Sequence, residues 1–121
     1  MIRELRDREY LAHICSAIDR INRYLNGKSE SDFMADELTQ DGVMRNLEII
    51  GEAVSKLSPE LKLKYDDVPW HEISGMRNRL IHGYVDVNLE IVWDTVAKVL
   101  PEFLARIQEI QETFKRRGFG G

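Results

Sequence analysis

Residues 75–84 read GMRNRLIHGY, placing two arginines, an asparagine, a histidine and a tyrosine beside two glycines. These side chains suit one kind of chemistry. A guanidinium such as Arg77 or Arg79 grips a phosphate through two N–H groups and stabilises the charge of its transition state. A histidine such as His82 titrates near neutrality and moves protons. Asn78 lies four residues before His82, so on a helix the two share a face and can hydrogen-bond. Gly83 lets the chain turn sharply and brings Tyr84 out beside the helix end. The set fits phosphodiester chemistry. It also fits a solvated helix end carrying its usual cations, and residue chemistry alone leaves both readings open.

Spacing by itself carries little weight. Four residues separate Arg77 from His82, and four also separate Arg8 from His13. The Arg8–His13 pair lies mid-helix, followed by Ile14 and Cys15, without a glycine or a polar partner placed to serve it. On a continuous helix a five-residue step turns about 140°, so neither pair converges on one ligand within one chain. His71-Glu72 lacks the second histidine of a zinc-protease helix. Three histidines and one cysteine make no metal cluster, and no cofactor or metal is expected. Trp70 and Trp93 read as core or dimer contacts, Cys15 as buried filler, and Arg116-Arg117 as a solvated tail.

The elements that must position the motif are all helical. Leu11, Ile14, Ile18, Ile21 and Leu25 recur at helical spacing from Ile2 to a stop at Asn26-Gly27. Ser31 or Asp32 can cap a second region, expected to break near Asp41-Gly42 and continue through Val43, Leu47, Ile50, Val54 and Leu57. Gly51 inside that stripe suggests close approach of another helix. Ser58-Pro59 opens a short turn through Leu63. A third main helix is expected from Pro69 to His82, ended by Gly83. Asp86 or Asn88 caps the last helix, whose stripe is Leu89, Val92, Val96, Val99, Phe103, Ile107, Ile110 and Phe114, with a kink at Pro101. The expectation is an all-α, antiparallel up-and-down bundle of four main helices plus a short connecting helix.

A length of 121 residues favours one domain, placed at 1–115 with a frayed tail at 116–121. Hydrophobic residues at 43% and charged residues at 31% describe a globular chain. The apolar runs are too short to span a membrane, and the charged N-terminus lacks a signal peptide. With one cysteine, this favours a reducing cytoplasm. A net charge of −4 argues against wrapping nucleic acid with the whole surface, but allows a small basic cleft on an acidic body, which a dimer would double.

"MRNRLIHGY", preceded by "VPW" and "NLEIIGEAV" and followed by "DVNLEIVWDTV", resembles the HepT-like toxins of the HEPN superfamily over residues 5 to 110. The family's signature is an arginine, four to six residues and a histidine, with a polar residue beside the arginine. The HepT branch adds a tyrosine two residues after the histidine. Arg77, Asn78, His82 and Tyr84 match that pattern. The resemblance implies an all-helical homodimer, with two motifs meeting in one cleft and cutting RNA without metal. It implies a cognate minimal nucleotidyltransferase antitoxin that attaches AMP to Tyr84. Arg77 and His82 would be catalytic, with Asn78 and Arg79 in support. The rival reading is a non-catalytic helical module that docks the nucleotidyltransferase through the same polar end.

Overall fold

The computed structural model describes residues 2–82 and 88–116, with the backbone alone at 77 and 79–82. Its helices are α1 (Ile2–Leu25), α2 (Glu30–Ala35), α3 (Glu37–Lys56), α4 (Pro59–Lys64), α5 (Trp70–His82), α6 (Leu89–Asp94) and α7 (Leu100–Arg116). A π-helical turn, Thr95–Val99, joins α6 to α7. No strand occurs among the described residues, so the chain is all-α as expected. No helix among them is long and apolar enough to cross a membrane.

α1 ends where glycine permits it. Gly27 has φ 76°, the left-handed conformation that glycine adopts without steric cost. The second helical region differs from the expectation. Ser29, not Ser31 or Asp32, is the cap: its hydroxyl accepts from Asp32 N, and the Asp32 carboxylate accepts from Ser29 N. The break falls at Asp36, which ends α2 and caps α3 through Thr39 N. Gln40 donates to the Phe33 and Met34 carbonyls, satisfying the loose end of α2. Gly42 therefore sits inside α3, where the ring of Tyr24 packs on it: a Cβ there would lie 3.1 Å from Tyr24 Cε2. Gly51 is buried within α3, as its place in the stripe suggested.

α3 packs against both α1 and α5, and α1 also packs against α7. One contiguous core results, in which Leu11, Ile14, Ile21, Ile50, Ile107 and Ile110 are fully buried. The α1–α3 pairing is antiparallel. Asp7 meets Ser58, Lys56 stands over the Tyr10 ring, Arg20 meets Asn46, and Tyr24 meets Gly42. Each step forward along α1 is a step back along α3. Trp70, at the start of α5, donates from Nε1 to the Tyr65 carbonyl and meets Phe103 edge-on at 6.0 Å. Trp93 is tilted on Phe33 at 5.6 Å. Both tryptophans serve packing. Cys15 is only half-buried and approaches Gln111 Oε1 at 3.5 Å, and burial raises its thiol pKa more than that contact lowers it.

The last helix carries its irregularity just upstream of Pro101. Leu100 N donates to Thr95 O, one residue further back than in an α-helix. Pro101 has no N–H to offer the Ala97 carbonyl, so the ladder must change there. The wider turn delays the helical phase by about one residue. Leu100 is thereby 2% exposed, whereas Val99, expected in the apolar stripe, is 40% exposed. Leu100→Ala should cost about 2–5 kcal/mol in denaturant unfolding, and Val99→Ala less than about 0.5 kcal/mol. The reverse order would mean that the helix continues in α phase through this turn.

Candidate functional site

The motif occupies the closing turns of α5. Trp70, Ile73 and Met76 are buried there, and α5 packs on α3. Asn78, two residues beyond Met76, is exposed. The backbone places Arg77 and His82 on this helix about 140° apart, and Asn78 and His82 on one face. The side chains of Arg77, Arg79 and His82 lie outside the described residues, as do Gly83, Tyr84 and Asp86 entirely. What is described is the platform: an anchored helix whose last turns carry an exposed asparagine.

The platform has a definite address in the bundle. The segment between α3 and α5 is tied to the end of the bundle where α1 begins. Asp7 of α1 accepts from Ser58 N at 2.8 Å and Ser58 Oγ at 2.6 Å. Tyr65 pairs with Thr113, and Asp67 with Arg106, both on α7. From that end α5 runs back along α3, covering about 20 Å in its 13 residues. Its last turns therefore come level with the N-terminal half of α3 and the C-terminal half of α1. α6 begins at the same end. Asn88 caps it by accepting from Glu90 N and Ile91 N, and α6 packs against α2. Asn88 is thus the cap among the described residues, while the alternative, Asp86, is outside them.

The charged groups at this level on α1 and α3 include Arg20, Asp41, Arg45 and Glu48. Arg45 reaches Glu48 at 3.6 Å across one helical turn. Arg20 Nε donates to Asn46 Oδ1 at 2.7 Å, and Asn46 Nδ2 donates to the Gly42 carbonyl at 2.8 Å. Among the described residues, two cavities lie away from this level. One of about 330 Å³ is lined by Asp7, Ser58, Tyr65 and Thr113, at the opposite end. The other, about 520 Å³, runs between α1 and α7 beside Arg8, Ala12, Gln111 and Phe114. Among the described residues no group of three or more His, Cys, Asp or Glu side chains could hold a metal. In the second arginine–histidine pair, His13 is exposed on α1 and meets the Tyr10 ring edge-on at 5.8 Å. His71 and Glu72, at the start of α5, are both exposed.

Two polar residues escaped the sequence reading, and each left a trace in it. Asp7 stands four residues before Leu11, in phase with the α1 core stripe, and is 4% exposed. Asn46 lies three residues after Val43, in phase with the α3 stripe, and is also 4% exposed. A polar residue at a core phase must find a partner inside the fold. Asn46→Ala should cost about 1–3 kcal/mol in denaturant unfolding, because it removes the acceptor of the half-buried Arg20 Nε and leaves a gap at a buried position. Asn78→Ala, at an exposed position, should change stability by less than about 0.5 kcal/mol. A large loss at Asn78 would make it a structural residue.

Residues 14–110 match the model of the "Ribonuclease HepT-like" family. The chain is 42% identical over 108 residues to a protein of Caldanaerobacter subterraneus provisionally named an RNase, covering 89% of this chain and 96% of that one. It is 39% identical over 80 residues to "Probable ribonuclease HepT" of Thermococcus cleftensis, 66% of this chain and 73% of the relative. A Methanocaldococcus jannaschii protein, whose name joins a gamma-glutamylcyclotransferase to a provisional RNase, is 44% identical over 78 residues, and the match spans 35% of that longer protein. No solved structure matches the chain.

Proposed function

The chain belongs to the ribonuclease HepT-like family, and from that premise we propose that it is the toxin ribonuclease of a toxin–antitoxin pair, cutting RNA without metal at a site shared by two subunits. One observation carries this reading. Arg77, Asn78 and His82 lie in the last turns of a helix that is anchored in the core through Trp70, Ile73 and Met76, and Asn78 is exposed.

The chemistry follows from the residue types. The RNA 2′-oxygen attacks the adjacent phosphorus while His82 takes its proton. The O2′–P bond forms and the P–O5′ bond breaks, leaving a 2′,3′-cyclic phosphate and a 5′-hydroxyl. His82 of the partner subunit protonates the departing O5′. Arg77 stabilises the added negative charge of the phosphorane. Asn78 orients His82 or touches the phosphate, and Arg79 adds positive charge beside the site. A second copy supplies what one helix cannot, since about 140° separates Arg77 from His82.

Tyr84, two residues beyond His82, is the regulatory acceptor in this reading. A cognate minimal nucleotidyltransferase transfers AMP from ATP to its phenol, forming a tyrosyl O–P bond and releasing pyrophosphate. The added phosphate pairs with Arg77 or Arg79 where an RNA phosphate would bind, and the base crowds the cleft.

Purified protein should run as a dimer in light scattering and cleave RNA in excess chelator. Arg77→Ala or His82→Ala should lower the rate at least about a hundredfold, and mixing the two variants should restore part of it. Arg8→Ala and His13→Ala should cut at near the parental rate. Full activity in a monomer, or equal losses at the decoy pair, would overturn the site.

Incubation with ATP and the cognate nucleotidyltransferase should add AMP mass to the peptide holding Tyr84 and stop cleavage. Tyr84→Phe should block the addition. Mass on Tyr10, Tyr24 or Tyr65 instead, or a modified protein that still cuts at full rate, refutes the regulatory role.

A further inference from the structure

Arg20 is oriented by a neutral partner. It is half-buried on α1, and its Nε donates to Asn46 Oδ1 at 2.7 Å. Asn46 is 4% exposed, and its amide cannot turn freely, because Nδ2 is engaged by the Gly42 carbonyl at 2.8 Å. Oδ1 is therefore committed to Arg20. Neighbouring arginines are held by carboxylates instead: Arg23 by Asp19 at 3.0 Å and Arg45 by Glu48 at 3.6 Å. Among the described residues, none of the ion pairs includes Arg20, and its side chain makes no second hydrogen bond.

A neutral acceptor fixes a guanidinium without cancelling its charge. A core-facing arginine would normally be paired, since an uncompensated charge near the interior is costly. Among the described residues nothing neutralises Arg20 or engages its terminal amino groups, which form the planar fork that matches a phosphate. Its location matters as much. The α1–α3 pairing puts Arg20 level with the N-terminal half of α3, where the last turns of α5 also lie. In a chain of net charge −4, RNA is held by a few placed cations rather than by a basic surface.

We infer that Arg20, held in place by Asn46, is a phosphate-binding residue for the RNA backbone flanking the scissile position. This rests on the ribonuclease reading above. The phosphodiester being cut belongs to Arg77 and His82. Arg20 takes a neighbouring phosphate, so it contributes to substrate affinity and not to the bond-breaking step.

The test compares a longer single-stranded oligoribonucleotide with a dinucleotide, using Arg20→Gln and Arg20→Lys in the full chain. Circular dichroism and denaturant unfolding establish that each variant is folded. For the longer substrate, Arg20→Gln should raise KM about tenfold with kcat unchanged. It should lower the slope of log affinity against log salt by about 0.7, the value for one phosphate on a single strand. Arg20→Lys should keep that slope and lose only part of the affinity, because it retains charge without the fork. Cleavage of the dinucleotide should be unaffected by either change. Unchanged KM and salt slope in folded Arg20→Gln would overturn the proposal. So would unfolding of both variants, which would reduce Arg20 to a cross-link between α1 and α3. Wild-type protein that cuts no RNA would refute the ribonuclease reading itself, whereas cleavage by the wild type matched by Arg20→Gln would remove only the role of Arg20.

Discussion

The antiparallel pairing of α1 with α3 sets the position of everything else in the molecule. Its apolar seam is wide, but an apolar seam tolerates sliding, because dispersion and the hydrophobic effect have little direction. Two polar ties remove that freedom. At one end the buried Asp7 carboxylate accepts two hydrogen bonds from Ser58, whose hydroxyl also caps α4. At the other, Asn46 links Arg20 to the Gly42 carbonyl. A shift of one turn in either direction would leave a buried charge and a buried amide unpaired, at a cost of several kcal/mol. The close fit of Tyr24 on Gly42 adds a steric stop.

That register decides where the motif goes. With Ser58 locked to Asp7, the short α4 and the turn to Trp70 are held at the end of the bundle where α1 begins. α5 can then only run back along α3, carrying Arg77, Asn78 and His82 to the far end. The cavities lined by Asp7 and by Gln111 stay away from those turns.

The π-helical turn at Thr95–Val99 solves a separate problem. α6 must pack on α2 near the motif, while α7 must pack on α1 and reach Tyr65 and Asp67 with Thr113 and Arg106. A single regular helix through Pro101 would hold Val99 inward. The extra residue in the turn instead brings Leu100 into the core.

The sequence alone determined much of this protein. Helical periodicity determined the all-α class and most of the core, because burial follows directly from apolar phase. Asn26-Gly27, Ser58-Pro59 and Asn88 marked element ends through local backbone and capping chemistry that needs no distant partner. The string around Arg77, Asn78, His82 and Tyr84 determined the family, since side-chain identities and order are written in the chain. Other features were decided only by tertiary structure. Ser29 took the capping role expected of Ser31 or Asp32, and the break fell at Asp36 rather than Asp41-Gly42, because Gln40 and Tyr24 close the surroundings of that turn. Leu100 displaced Val99 because a π turn changes phase, and sequence period assumes a constant one. Asp7, Asn46 and Arg20 acquired their roles only through pairing: Asp7 and Asn46 with residues from across a helix interface, and Arg20 through Asn46. A polar residue at a core phase announces that a partner must exist, but only the folded chain selects which one.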